Sequence, residues 1–292
     1  MLSHEINRQF RQRLSAGGAI LLPGAANALA ARIIADFGFE AIYLSGAGLT
    51  NTYLGMPDLG FVGLAEIAQH TSAIRDSTDL PIVVDADTGF GNALNVRHTI
   101  RTLERAGANA IQLEDQVNPK RCGHFAGKDV VAIDEARNRI KAAVDARQDP
   151  NLLIVARTDA RATQGAEAAL ERAEQFIEDG ADITFVEAPE SVAELRNIAG
   201  RLNPTPQLVN LVVGGRTPIL PLEELEGMGF KLVLYANVAL QGAILGMQNA
   251  LGQLKSQGQL DETGPVASFK ERQRLVRKAL FDELEDRYAA RD

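Results

Sequence analysis

Cysteine, tryptophan and histidine are scarce: the 292 residues include one Cys, Cys122, no Trp and four His. A single thiol excludes an intrachain disulfide framework and suits a reducing cytoplasm. His4, His70, His98 and His124 fall at no ligand spacing, which with one Cys argues against zinc. No run of about 18 apolar residues occurs, so no membrane span is expected. Met1-Leu2-Ser3-His4-Glu5 opens with charge rather than the apolar stretch of a signal peptide. Basic residues are outnumbered, 30 Lys and Arg against 38 Asp and Glu, for a formal net charge of −8. Nucleic acid is therefore not an expected partner, since phosphate binding needs a basic surface. A few local Arg or Lys can still dominate one pocket and hold a small anion. No Gly-x-Gly-x-x-Gly follows an apolar run and no P-loop is present, so a nucleotide cofactor is not indicated.

What the chain does have is alternation. Apolar runs stand at Ala19–Ala25, Ala41–Gly46, Pro81–Asp87, Ala110–Gln116, Leu152–Asp159, Ile183–Ala188, Gln207–Val212 and Leu232–Asn237. Most are apolar throughout, as strands buried on both faces of a parallel sheet are. Segments of helical period separate them: Asn27–Phe37, Leu64–Thr78, Ala93–Ala106, Asp134–Gln148, Ala166–Asp179, Val192–Leu202 and Leu222–Met228, with Val238–Gln257 after the eighth run. Gly38, Gly107, Gly180 and Gly229 each fall between a helix candidate and the next strand, the usual place for a helix stop. Eight such units in about 260 residues predict a (β/α)8 TIM barrel. An open doubly wound sheet is the alternative if one strand is false. We expect residues 1–258 to form the catalytic barrel and 259–292 a charged helical arm. The arm's apolar stripe, Leu275, Leu280, Phe281 and Leu284, needs a surface, either its own barrel or a neighbouring subunit.

In such a barrel the active site lies at the C-terminal ends of the strands. Here those ends read Ser45-Gly46, Asp85-Ala86-Asp87, Glu114-Asp115-Gln116, Arg157-Thr158-Asp159, Glu187, Asn210 and Tyr235-Ala236-Asn237. One acid at a strand end reads as a helix cap; four to six on one face do not. Asp85 and Asp87, two apart on a strand, point to one side. They repel unless a proton or cation lies between them. With Glu114 on the next strand, the pattern points to a hard divalent cation with oxygen ligands, Mg²⁺ foremost, which keeps several waters. The bland alternative is a hydrogen-bonded turn. Lys120-Arg121-Cys122-Gly123-His124 follows the fourth run. A lone Cys is most often a buried hydrophobe, but cationic neighbours favour thiolate or proton-transfer chemistry, and Gly123 gives the loop freedom to close over a site. Arg157 suits a substrate carboxylate, which guanidinium binds bidentately; its alternative is an ion pair with Asp159 or Glu187.

Together, Tyr43-Leu44-Ser45-Gly46, Asp85-Ala86-Asp87-Thr88-Gly89-Phe90-Gly91, Glu114-Asp115-Gln116, the Lys120–His124 loop and Ala156-Arg157-Thr158-Asp159-Ala160 resemble the isocitrate lyase/phosphoenolpyruvate mutase superfamily over residues 20–258. The loop cysteine marks the lyase branch and disfavours the phosphonomutases. The resemblance implies a Mg²⁺-dependent carbon–carbon lyase, with Mn²⁺ as a possible substitute, acting on a small dicarboxylate. Asp58, Asp85, Asp87 and Glu114 would organise the metal, partly through water. Tyr43, Ser45, Gly46, Ala47, Lys120, Gly123 and His124 would contact the substrate. Arg157 and Asn210 would hold a carboxylate with Glu187 beside them, and Cys122 would be the general acid. Relatives of this branch are typically tetramers that exchange their last helix, which fits the arm.

Within the branch the chain departs from the 2-methylisocitrate lyases. Val212 follows Asn210-Leu211 where those enzymes have Thr, Gln241 stands where they have an Arg, and no Arg matches near Phe269-Lys270. Fewer partners for a third carboxylate argue against a tricarboxylate, because an unpaired buried carboxylate is costly. The segment 210–218 is more similar to the 2-alkylmalate lyases. The expected reaction is cleavage of a 2-alkylmalate, for example 2,3-dimethylmalate to pyruvate and propionate. 2-Methylisocitrate cleavage, oxaloacetate hydrolysis or decarboxylation, and a non-enzymatic metabolite-binding barrel are the competitors.

Overall fold

The computed structural model describes residues 2–120, 127 and 129–289. Its eight strands are β1 (Ile20–Ala25), β2 (Ile42–Leu44), β3 (Ile82–Asp85), β4 (Ala110–Glu114), β5 (Leu153–Thr158), β6 (Ile183–Val186), β7 (Gln207–Asn210) and β8 (Phe230–Tyr235). They pair in parallel in chain order and close into a barrel, β1 meeting β8 from Ile20↔Leu232 to Pro23↔Tyr235. All eight expected strands form. Their polar ends do not stay in the sheet: Gly46, Asp87, Gln116, Asp159 and Ala188 lie beyond the last paired residues. The eighth strand starts at Phe230 and stops at Tyr235 rather than running Leu232–Asn237.

A helix that the periodicity did not reveal, α1 (Ser3–Ser15), precedes the barrel; its Ile6, Phe10 and Leu14 are buried. Then α2 (Ala28–Asp36) follows β1. Short α3 (Gly46–Leu49), a π-helical turn Thr50–Leu54 and α4 (Leu64–Arg75) follow β2. The remaining crossovers are α5 (Ala93–Arg105), α6 (Ile133–Ala146), α7 (Ala160–Gln164) with α8 (Ala166–Glu178), α9 (Val192–Arg201) and α10 (Leu222–Met228). Side chains that compete poorly inside helices start several of them. The Asn27 carboxamide accepts from Ala30 N at 2.9 Å, and Ser191 Oγ accepts from Glu194 N at 3.1 Å. After β8 come α11 (Val238–Gln257), α12 (Phe269–Leu275) and α13 (Lys278–Tyr288).

Strand parity decides what faces the barrel axis. Ile20, Leu22, Tyr43, Val83, Ala110, Leu153, Val155, Ile183, Phe185, Leu208, Leu232 and Leu234 form one interior cluster, closed below by Phe10 and Leu14 of α1. Alternate residues such as Ile42, Leu44, Ile82, Val84, Ile111 and Ile154 point outward into the helices. Successive side chains alternate, so each interior series continues upward into a polar residue: Val83 to Asp85, Ala110 through Gln112 to Glu114, Val155 to Arg157, Phe185 to Glu187 and Leu208 to Asn210. Closure also needs Gly24, where a Cβ would sit 1.7 Å from the Ala236 carbonyl oxygen.

Helix α11 has no buried residue. Beyond it, Arg274 of α12 grips Asp36 at the end of α2 through two hydrogen bonds of 2.8 and 2.6 Å. Among the described residues, no helix is long and apolar enough to cross a membrane.

Candidate active site

Five strand ends deliver Asp85, Glu114, Arg157, Glu187 and Asn210 to one mouth, each less than a tenth exposed. Asp85 is held from three sides. Its Oδ1 accepts from Gln112 Nε2 at 3.2 Å and Asp87 N at 3.3 Å, and its Oδ2 accepts from Gly46 N at 3.2 Å. The backbone at Gly46 comes this close because it lacks a Cβ, which would stand 3.2 Å from Asp87 Oδ1 and 3.3 Å from Asp85 Oδ2. Ser45 starts that turn, its Oγ accepting from Gly48 N at 3.0 Å. Ala47 is half-buried on the same short helix.

Gln112 is a site residue that the sequence did not single out. Its side chain is wholly buried inside the barrel. Tyr43 Oη donates to Gln112 Oε1 at 3.0 Å while Gln112 Nε2 donates to Asp85, so one amide ties the layer below the mouth to the acid above it. Tyr43, expected against the substrate, thus lies one layer down; burial, with Asp85 nearby, pushes its hydroxyl pKa well above 10. An amide in an apolar run gives no sequence signal beyond its interior parity.

Asp87 reaches the site by another route than strand alternation. It lies past β3 in a left-handed turn with φ 46°, where spacing of two no longer fixes direction. Its partner is Lys120: Lys120 Nζ stands 2.8 Å from Asp87 Oδ1 and 2.6 Å from Asp58 Oδ1, all nearly buried. Asp58 and Asp87 thus share one ammonium. The four surrounding acids outweigh burial and keep Lys120 protonated, while burial pushes the Asp87 carboxyl up to about 7 against the pull of Lys120. Thr88 Oγ1 donates to Asn118 Oδ1 at 3.0 Å, and backbone bonds Val117 N to Asp129 O and Val131 N to Asp115 O, each 2.9 Å, anchor both ends of the segment after β4. Cys122, Gly123 and His124 fall outside the described residues.

Arg157 turns one edge to Asp159, Nε and Nη2 donating at 2.8 and 3.0 Å. Its Nη1 stands 3.3 Å from Glu114 Oε2, its Nε 4.0 Å from Glu187 Oε2, and its guanidinium stacks 5.3 Å from the Phe185 ring centroid. Both readings of Arg157 thus have a geometric basis: it makes the ion pair with Asp159 and also faces the mouth. Burial drives the Glu114 pKa well above its usual range despite Arg157. Among the described residues, Glu114 Oε1 and Asn210 Oδ1 are buried without a hydrogen-bond partner. Val212 is half-buried just past β7, and Gln241 is exposed in the first turns of α11. Asp115, at the same strand end as Glu114, faces away. It accepts from Thr158 Oγ1 at 2.6 Å, Asp159 N at 2.9 Å and Arg172 Nη1 at 3.3 Å, so not every strand-end acid serves the site.

The donor set bears on a metal. Among the described residues, no three Asp, Glu, His or Cys side chains form a ready cluster. A hard cation that keeps most of its waters needs only one or two carboxylates. The desolvated Asp87 and Glu114, and the unsatisfied Glu114 Oε1, fit such an ion beside Asp85.

A closed parallel barrel carrying acids, one arginine and one amide at its C-terminal mouth has the architecture of metal-assisted barrel enzymes. The phosphoenolpyruvate phosphomutase family matches residues 10–255. The 2,3-dimethylmalate lyase of Eubacterium barkeri is 41% identical over 285 residues, 96% of this chain and 97% of that protein. A crystal structure of 2,3-dimethylmalate lyase superposes with a TM-score of 0.92 at 32% identity, covering 99% of this chain and 97% of that one. The 2-methylisocitrate lyase of Aeropyrum pernix is 43% identical over 248 residues, 85% of this chain and 79% of that protein. Phosphonopyruvate hydrolase, solved with oxalate and Mg²⁺, superposes with a TM-score of 0.88 at 27% identity and 99% coverage of both chains. The chain belongs to the phosphoenolpyruvate mutase/isocitrate lyase superfamily.

Proposed function

We propose that the protein is a Mg²⁺-dependent carbon–carbon lyase that cleaves a 2-alkylmalate such as 2,3-dimethylmalate into a 2-oxo acid and a simple carboxylate. The observation that carries this reading is the convergence of Asp85, Glu114, Arg157 and Asn210 at one buried mouth, with hydrogen-bonding capacity left at Glu114 Oε1 and Asn210 Oδ1. Similarity to 2,3-dimethylmalate lyase over nearly the whole chain supports the substrate class.

Asp85, with Asp87 and Glu114 through water, would hold Mg²⁺; Mn²⁺ suits the same oxygen donors. Bound there, the ion would supply Lewis-acid chemistry, lowering the pKa of the substrate's 2-hydroxyl. The protein's own groups do the rest. Arg157 and Asn210 hold the carboxylate of the departing fragment, and Glu187 fixes Arg157 from behind. Loss of the hydroxyl proton and rupture of the C2–C3 bond leave a carboxylate-stabilised carbanion. Arg157 meets its charge with a guanidinium already oriented by Asp159, stabilisation that needs little reorganisation. Cys122 delivers a proton to that carbon. Lys120, held by Asp58 and Asp87, keeps the net charge of the acid cluster low enough for an anionic substrate to enter.

Three features favour a dicarboxylate over a tricarboxylate: Val212 where the 2-methylisocitrate lyases have Thr, Gln241 where they have Arg, and no matching Arg near Phe269-Lys270. The 43% identity with a 2-methylisocitrate lyase keeps that substrate as the second reading. Kinetics on 2,3-dimethylmalate, 2-methylisocitrate and oxaloacetate separate them. We expect the highest kcat/KM for 2,3-dimethylmalate; a higher value for 2-methylisocitrate overturns the substrate assignment. Cys122→Ser should bind substrate as the parent does and lose most turnover, and near-parental kcat removes Cys122 from the chemistry.

We further propose a cytoplasmic homotetramer with residues 1–258 as barrel and 259–292 as a helical arm; since Arg274 fastens α12 to α2 of its own chain, the exchange between subunits is assigned to α11. The exposed apolar residues of α11, Ile244, Leu245, Met247 and Leu251, support a subunit contact.

A further inference from the structure

A cavity of about 300 Å³ lies away from the mouth, between the barrel and the arm. Asp36 ends α2 and Ser77 follows α4 shortly before β3, so this void sits beside the N-terminal ends of the strands. Its polar lining is Arg32, Asp36, Ser77, Arg274 and Arg277: three guanidiniums and one carboxylate.

The single acid is already spent. Asp36 accepts both hydrogen bonds from Arg274, which Glu271 also engages at 2.7 and 2.8 Å. Among the described residues, neither Arg32 nor Arg277 makes an ion pair, although Asp79 lies close enough to feel the Arg277 charge. Among the described residues, Arg32 Nη1 is buried with no hydrogen-bond partner. Burial and the facing Arg277 both disfavour the Arg32 cation. Arg277 occupies the junction of α12 and α13 with a left-handed φ of 56°, a conformation that costs a side-chain-bearing residue energy.

Two guanidiniums held across a void repel, and a shared counter-charge removes that repulsion. The planar forks of Arg match the paired oxygens of an oxyanion. We propose that this cavity is a binding site for a small multivalent oxyanion of the phosphate class, held by Arg32 and Arg277. One wall belongs to the barrel and the other to the arm, so the bound anion fastens the arm. The inference does not depend on which substrate the barrel mouth cleaves.

The test is calorimetric titration of inorganic phosphate into the full-length protein in EDTA, with chloride at matched ionic strength as control. Arg32→Met and Arg277→Ala are titrated alongside. Saturable binding of phosphate, one ion per chain, is expected, weakened roughly tenfold or more in each variant by loss of a charge-assisted partner, with 2,3-dimethylmalate turnover unchanged. Absence of saturable binding, or parental affinity in Arg277→Ala, overturns the proposal. Arg277 is exposed on a turn, so that variant decides the matter even where Arg32→Met fails to fold.

Discussion

Glu114 and Asp115 are adjacent, and one residue of strand parity gives them opposite tasks. Glu114 faces the mouth with an unsatisfied oxygen, while Asp115 ties β4 to β5 and α8. Burial first, then Asp159, pushes the Asp115 carboxyl up to about 6 from an ordinary 3.8. A folded-state pKa above the unfolded value means that the group's contribution to stability is complete below about pH 4 and is lost as pH rises through about 6. The loss is on the order of 2–3 kcal/mol. Asp115→Asn should therefore show a flatter dependence of urea-denaturation stability on pH between about 4 and 7. Parallel profiles for parent and variant contradict the assignment. Gln112 carries the other residue-scale prediction. Gln112→Leu strands the Tyr43 hydroxyl and leaves Asp85 Oδ1 with the Asp87 N–H as its one remaining donor, which should cost about 1–3 kcal/mol of stability. Because Asp85 loses its orientation, Mn²⁺ affinity measured by electron paramagnetic resonance should also fall. Unchanged Mn²⁺ affinity shows that Asp85 is oriented without the amide.

At the scale of elements, β1 can close against β8 only because residue 24 lacks a side chain. Gly24→Ala places a methyl group inside the Ala236 carbonyl. It should destabilise the barrel by about 3 kcal/mol or more, seen as a lowered denaturation midpoint; a loss below about 0.5 kcal/mol contradicts the packing described. Most of this frame was legible in the sequence. Runs apolar throughout announce strands covered on both faces, and Gly38, Gly107, Gly180 and Gly229 read as helix stops, all four taking positive φ. Position at the strand ends brought Asp85, Glu114, Arg157, Glu187 and Asn210 to the mouth; that Asp115 faces away instead is a matter of strand parity, argued from the sequence for Asp85 and Asp87 alone. Where pairing ends, so does the inference. Asp87 turns left-handed, Lys120 is positioned by a loop to clasp Asp58 and Asp87, and neither contact follows from spacing. Helix α1 escaped notice because its polar Ser3-His4-Glu5 start hides the stripe Ile6, Phe10, Leu14 that plugs the barrel.

For the whole molecule, α11 and the arm leave more apolar surface than a lone barrel needs to expose. Ile244, Leu245, Met247 and Leu251 are between 42 and 63% exposed. Sedimentation should find an oligomer, and Leu251→Asp should shift it toward smaller species at micromolar concentration; a monomeric parent contradicts the exchanged-helix assembly. The broader account rests on one mouth where acids from neighbouring strands, a fixed guanidinium and a hard cation act together. Its most direct test is to incubate the purified enzyme with 2,3-dimethylmalate and identify both products by NMR, in EDTA and again after Mg²⁺ is restored. The account predicts pyruvate and propionate in equal amounts with Mg²⁺ and none in EDTA. Cleavage that continues at full rate in EDTA, or intact substrate with Mg²⁺ present, contradicts it.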